Sequence, residues 1–363
     1  MAQVNAKVGD VDFKFRFGGQ TNIDCGTFLG ADDNRANRNG ISVNDCRLAV
    51  IADIDTAWQA KLEVSYQASK ISFKDVYVQR SFCNAACEVR FGNFFFPFGI
   101  LRGGLFFKFV DTSTADVTFS PWRKLGMAYQ SYSDHFNWGV GIFSAGDVDN
   151  GKKTNQGYSF NAYALVRPIV SGSNVLHFTV SGILTHLSDQ ISFSAPLPVM
   201  FTNSPLAETG KMDAYNYGRL EVSAFGVARR FYAEAHFLKA WVNRPNEIAT
   251  TADDGTVTIT PQENYNGAYG FYVQASWRII GGDQALDYHK KMGLAFNPTR
   301  RALDVLARFD RTDLDQFGAA NNLTLGVNYY INKYLRVRLN YVHAAVKHGA
   351  DIDALCSRVQ FSF

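Results

Sequence analysis

The 363-residue chain has no uninterrupted apolar run of the ~18 residues that a membrane-crossing helix requires. Cysteine is scarce at five, which excludes a small disulfide-dense scaffold. The seven histidines are scattered, and none lies close to Cys83 or Cys87, so zinc-ligand spacing is missing. No triad spacing stands out either. Excess charge is also small: 36 Lys and Arg against 33 Asp and Glu leave +3, too little to advertise a nucleic-acid partner or an anionic membrane surface. Gly146 to Lys153 nearly spells a phosphate loop, but Lys153 stands where Ser or Thr must hold magnesium, and no helical pattern follows. Asp147, Asp149 and Asn150 fail the calcium-loop spacing. These residues read as a polar loop, and neither a metal nor a cofactor is expected.

What the chain does have is alternation. Its last strand places Leu355, Ser357, Val359, Phe361 and Phe363 on one face and Cys356, Arg358, Gln360 and Ser362 on the other. The pattern begins with Val11, Phe13, Phe15 and Phe17, interleaved with Asp12, Lys14 and Arg16, and recurs throughout. Phe136-Trp138-Val140-Ile142, Tyr269-Phe271-Val273-Ala275-Trp277 and Leu335-Val337-Leu339-Tyr341 are further cases. About sixteen such strands of ~10 residues fit the length of the chain, which suits a tilted bilayer crossing by a single β-barrel domain over residues 1–363. Short connections (Asp55–Trp58, Cys83–Cys87, Ser133–His135, Asn332–Tyr334) alternate with long polar ones. Residues 279–300 break the rule, being long on the short-turn side.

A soluble sandwich or jelly roll also alternates. The aromatics, 14% of the chain, argue against it: Trp58, Trp138, Trp241, Trp277, Tyr329 and Tyr341 sit at or near strand ends on the apolar face, as interfacial girdles require. A final Phe is usual in bacterial outer-membrane barrels. The start, Met1-Ala2-Gln3-Val4, lacks a leader's charged and apolar regions, as expected of a mature exported form. Cys25–Cys46 and Cys83–Cys87 disulfides with Cys356 free would suit an oxidising compartment; five reduced thiols are the alternative.

If the apolar parity faces lipid, the other parity lines a pore. It carries Lys14, Arg16, Arg47, Lys61, Arg90, Arg167, Arg219, Arg308, Arg336, Arg338 and Arg358. Fewer carboxylates share that face, among them Asp53, Glu63, Asp75, Glu221, Glu234 and Asp304. A basic wall concentrates anions, and arginine forks suit phosphate or carboxylate; a generic pore whose charges pair with each other is the alternative. Residues 94–124 concentrate aromatics (Phe94-Phe95-Phe96-Pro97-Phe98, Phe106-Phe107, Phe109) that a solvated rim would not keep. Folded into the lumen, this loop would bring Arg102, Lys108 and Lys124 to the constriction as solute-binding residues. Packing on a neighbouring subunit is the competing use for it.

Phe91-Gly92-Asn93-Phe94-Phe95-Phe96-Pro97-Phe98-Gly99 resembles the strand-and-loop signature of the phosphate-selective porin O and P family. Gly270 to Trp277, Ala302 to Phe309, Leu325 to Tyr330 and Leu339 to His343 resemble its later motifs. The resemblance implies a sixteen-stranded homotrimeric porin in outer-membrane lipid, with an inward third loop and an arginine-lysine path for oxyanions. After Gly99 the family carries an acidic residue and a Ser-rich stretch, where this chain reads Ile100-Leu101-Arg102-Gly103-Gly104. The expected function is passive diffusion of small hydrophilic solutes with a preference for anions such as phosphate, without covalent chemistry and without nucleic acid. A structural or adhesive surface barrel with a plugged pore is the alternative.

Overall fold

The computed structural model describes residues 2–29, 39–67, 70–98, 108–146, 157–202, 205–251, 257–295, 298–347 and 349–363. The chain opens with β1 (Ala2–Val8), β2 (Val11–Leu29), β3 (Gly40–Ile54), β4 (Trp58–Gln67), β5 (Lys70–Phe82) and β6 (Cys87–Phe94). A short helix, α1 (Thr114–Phe119), precedes β7 (Lys124–Tyr132), β8 (Phe136–Ser144), β9 (Tyr158–Val170) and β10 (Asn174–Ile191). The small pair β11 (Ser194–Pro196) and β12 (Pro205–Glu208) leads into β13 (Met212–Ala228) and β14 (Phe231–Asn243). A second pair, β15 (Glu247–Thr251) and β16 (Val257–Pro261), leads into β17 (Tyr269–Ile280). A third, β18 (Tyr288–His289) and β19 (Leu294–Ala295), leads into β20 (Ala302–Asp313), β21 (Ala319–Tyr330), β22 (Leu335–Val346) and β23 (Ile352–Ser362).

The main sheet has 17 strands; setting β1 aside leaves sixteen, antiparallel neighbour to neighbour, closed where β23 pairs with β2. This is the barrel that the alternation predicts. β2 is long enough to serve two partners. Its second half pairs with β23, from Gln20↔Ser362 to Leu29↔Asp353, and its first half pairs with β1, from Ala2↔Phe17 to Val8↔Val11. β1 therefore takes up the ladder where β23 ends.

Polarity is inverted relative to a soluble domain. In β8, Phe136, Trp138, Val140 and Ile142 are exposed while Asn137, Gly139 and Gly141 between them, and Phe143 after them, are buried. In β14, Glu234 and His236 are buried while Phe237 is exposed. Lipid, not water, covers such an outer face. Trp58, Trp138, Trp277, Phe361 and Phe363 lie toward the short-turn rim, and Tyr66, Tyr158 and Tyr215 toward the other, all exposed.

The short turns are closed by the backbone. Cys83, Asn84 and Ala85 are all left-handed (φ 54°, 54° and 64°), and Ala86 N–H donates to Cys83 C=O at 3.1 Å. Neither expected disulfide is present: all five cysteines are free thiols. Cys25 and Cys46 do share a face, but Cys46 stands opposite Thr21, and Cys25 opposite Ile41. Four residues of strand separate Cys25 from Thr21, about 14 Å at ~3.4 Å each, about twice the ~7 Å a disulfide spans. The Cys83 and Cys87 thiols touch but remain separate, and Cys87 Sγ also contacts Ser131 Oγ at 3.8 Å.

Closure rests on a close approach at Gly19. Its N–H and C=O exchange hydrogen bonds with Phe363, both at 3.1 Å. A Cβ on Gly19 would lie 2.6 Å from the Arg47 carbonyl oxygen and 2.8 Å from the Phe363 ring. Gly19→Val should therefore cost about 1–3 kcal/mol through overpacking, read as a lower heat-resistant folded fraction on unheated gels and a lower unfolding midpoint.

Candidate functional site

The inward parity builds the interior, and chain segments from both rims fill part of it. Residues 108–120 lie against inward side chains. Ser113 caps α1 by accepting from Asp116 N–H at 3.1 Å. Asn322 Nδ2 donates to Thr114 Oγ1, and Thr114 Oγ1 donates to the Pro196 carbonyl, each at 2.8 Å. Gly270 makes room for the helix: a Cβ there would stand 2.8 Å from Ala115 Cβ and 3.0 Å from the Phe119 ring. Phe119 in turn meets Phe193 at 5.9 Å, joining α1 to the β11–β12 segment in a core with Leu238, Val242, Tyr265 and Tyr272.

The anomalous connection packs on inward side chains near the short-turn side through residues 284–291. Tyr288 Oη accepts from Arg167 Nε at 2.6 Å and lies 3.1 Å from His177 Nδ1. Lys291 Nζ donates to Glu88 at 2.5 Å, and Asn137 Nδ2 donates to the carbonyls of Lys290 and Lys291 at 3.1 and 3.3 Å. Glu88, fully buried, also accepts from Gln79, Arg90, Gln130 and Tyr132. Lys290 and Asp134 pair at 2.8 Å on the exposed rim, which holds the Asp134 carboxyl below the usual aspartate range.

The inward cations are mostly tied into this framework. Arg16 bonds Asp53 through two nitrogens at 2.8 and 2.9 Å, and Arg358 bonds Asp24 through two at 2.6 Å. Arg47 contacts Asp45 and Glu63 at 2.6 and 3.4 Å. Lys61 contacts Glu63 and Asp75, both at 2.6 Å, and Arg90 contacts Glu88 at 2.8 Å. Lys14 is exposed where β2 pairs with β3, opposite Asp53. Arg308 donates to the Asp111 carbonyl at 2.8 Å and Arg338 to the Phe109 carbonyl at 2.6 Å. Arg336 and Arg338 both bond Gln360. All three arginines are buried, and Arg308 and Arg338 hold residues 109–111 by the backbone.

Of the three constriction candidates, Lys108 and Lys124 border different cavities. Arg102 lies outside the described residues, as do Asp147, Asp149, Asn150 and Lys153. Lys108 is buried, bonding Gln284 Oε1 at 2.5 Å and Asp304 Oδ2 at 3.3 Å, with the Tyr232 ring 4.8 Å away. It borders a small cavity of about 40 Å³ that it shares with Arg308 and the carboxylates Asp111, Asp116 and Glu234. Burial pushes the Asp111 carboxyl above the usual range. Lys124 stands elsewhere: its Nζ donates to the Ala145 carbonyl at 2.9 Å, beside a cavity of about 370 Å³. Arg219 is the other cation of that cavity, and no carboxylate stands among its described lining residues.

Two groups escaped the sequence reading. His236, 2.9 Å from Glu221 and stacked on Tyr272 at 4.4 Å, shares a buried cluster with Glu234. The contacts of Gln284, Tyr288 and Lys291 had one signal only, the length of their connection.

The family model described as phosphate-selective porin O and P matches residues 15–363. No curated protein matches. Among solved structures, in-vitro folded OmpT of Vibrio cholerae in its trimer form is 12% identical, with TM-score 0.58 over 97% of this chain and 99% of that one. The anion-selective porin from Comamonas acidovorans is 12% identical, with TM-score 0.54 over 97% and 100%. The outer membrane channel DcaP of Acinetobacter baumannii is 10% identical, with TM-score 0.54 over the full length of both. At these identities the likeness is one of fold.

Asp304 is the acid on which Lys108 and Arg278 converge, with Arg278 Nε at 2.7 Å and both Asp304 and Arg278 buried. Asp304→Ala strands two buried cations and should cost about 3–5 kcal/mol, measured as denaturant unfolding of the detergent-folded barrel.

Proposed function

This chain belongs to the phosphate-selective porin O and P family, and on that premise we propose that this bacterial outer-membrane porin passes small hydrophilic solutes by diffusion with a preference for anions, phosphate and other oxyanions among them. The reading rests on one observation above all. Among the described residues that line the larger cavity, the charged ones are Lys124 and Arg219, with Ser159, Asn161, Thr185 and Ser194 beside them. Cations beside a water-filled path raise local anion concentration, and hydroxyls and amides replace part of an anion's water shell.

The whole of residues 94–124 is read as an inward loop, supported by the contacts of 108–120, and its Arg102, Lys108 and Lys124 as constriction groups. Lys14, Arg16, Arg47, Lys61, Arg90, Arg308, Arg336, Arg338 and Arg358 supply the field of the wall. Those paired with carboxylates contribute little net charge. Transport of this kind needs no bond making, and the working form is a homotrimer. Absence of current from folded trimers would instead favour a plugged surface barrel.

In planar bilayers under a potassium chloride gradient, the reversal potential should report chloride crossing more readily than potassium, with added phosphate reducing chloride current. A strong potassium preference would overturn the anion reading. Acidification should sharpen the preference. Because burial raises the Asp111 carboxyl, it takes up its proton at a higher pH than an ordinary aspartate, removing negative charge beside Lys108 and Arg308. The chloride-to-potassium ratio should therefore rise as pH falls from 7 toward 5. Asp111→Asn should show the raised ratio already at pH 7 and respond less to acid.

A further inference from the structure

We propose that a groove on the outer face of β4, β5 and β6 binds an anionic phosphoglyceride, its phosphate on Arg80 and an acyl chain beside it. The parity of β5 that meets lipid reads Val76, Val78, Arg80 and Phe82, so one charged side chain stands among apolar ones. Register places it on the same face as Trp58 of β4 and Val89 of β6, which stand opposite it. Arg80 is exposed, and among the described residues no carboxylate pairs with it. The inward arginines Arg16, Arg47, Arg90 and Arg358 each have one.

Its depth suits a phosphate. Two residues, about 7 Å of strand at ~3.4 Å each, separate Arg80 from Phe82, where β5 ends at the short-turn rim. An outer-membrane barrel turns that rim toward the periplasm, and the leaflet on that side consists of phosphoglycerides. An arginine this close to the interface keeps its stem in hydrocarbon and extends its head to the headgroups. The Arg80 guanidinium lies over the Trp58 ring, 5.3 Å from its centre. That contact orients the planar fork and leaves its edge for two phosphate oxygens.

Apolar side chains continue the groove away from the rim. Val78, Phe82, Val89 and Phe91 line about 680 Å³ together with Trp58 and Arg80. Phe91 stands opposite Val78, the next outward pair toward the bilayer centre after Val89 and Arg80, and both are exposed. Headgroup and chain therefore meet the groove in the order in which a phospholipid presents them. The lining also discriminates between headgroups. Among its described residues Arg80 is the one charge, so no acid receives the ammonium of choline or ethanolamine. The Trp58 ring, which would attract that ammonium, is already covered by Arg80. A glycerol headgroup brings the phosphate charge without a cation, which makes phosphatidylglycerol the fitting occupant.

The test adds phosphatidylglycerol, phosphatidylcholine or phosphatidylethanolamine with identical chains to the detergent-folded protein. Lipids retained per chain are counted by native mass spectrometry. Phosphatidylglycerol should be retained at concentrations about fivefold lower than the other two, the ~1 kcal/mol of one basic side chain against an anionic lipid. Arg80→Gln should remove that advantage. Arg301→Gln, which alters another exposed arginine of the same rim, should keep it. Equal retention of the three lipids by the wild type overturns the proposal without any variant. So does an advantage that survives Arg80→Gln in protein shown to be folded by gel mobility. An advantage that both substitutions abolish alike also overturns it, because the attraction is then diffuse. A second copy of the chain is the rival occupant. If Arg80→Gln separates subunits on unheated gels and leaves the lipid preference intact, the groove is a subunit contact and not a lipid site.

Discussion

Everything in this molecule depends on the ladder bonds between β2 and β23. A strand in hydrocarbon has no water for its N–H and C=O groups, so a sheet survives there only when its edges meet. Closure at Gln20↔Ser362 through Leu29↔Asp353 satisfies that demand. Once the sheet is closed, side-chain parity has one meaning along every strand: one set meets lipid and the other meets the interior. The interior then inherits nearly all the charge that the strands carry, within a space that two rims can also fill with backbone.

How that charge is used follows from burial. A cation left alone in a closed interior is unfavourable, so most find carboxylates or carbonyls. Arg358 with Asp24 and Arg16 with Asp53 are two-bond pairs across adjacent strands. Arg308 and Arg338 instead grip the backbone of residues 109–111, turning wall charges into a clamp for that segment. Glu88 performs the matching task at the other rim by receiving Lys291 from the 281–300 connection. Charges spent on fastening are not available to solutes.

Parity was legible from residues alone because it is local: Phe363, Phe361 and Val359 declare their face without reference to any other strand. Strand number, turn rim and the aromatic girdles followed from it. Contacts through space were not legible. Lys108 meets Asp304 across 196 positions, and no spacing rule announces that pairing. Cys25 and Cys46 show the limit of parity, which placed them on one face; register set them four residues apart along the strand. The basic excess was equally visible, but which of those cations stay beside a cavity depends on where residues 108–120 come to rest.

Selectivity in such a barrel is thus a question of location more than of sum. A lumen with a net excess of arginine can still offer solutes a balanced or even acidic surface, as the small cavity with Asp111, Asp116 and Glu234 does. The larger cavity has the opposite character, because the inward positions near it on β9 and β10 are Ser159, Asn161, Ile183 and Thr185 rather than acids. Among its described lining residues the charged ones are Lys124 and Arg219. The uncharged positions of a wall therefore shape its potential as much as its arginines do.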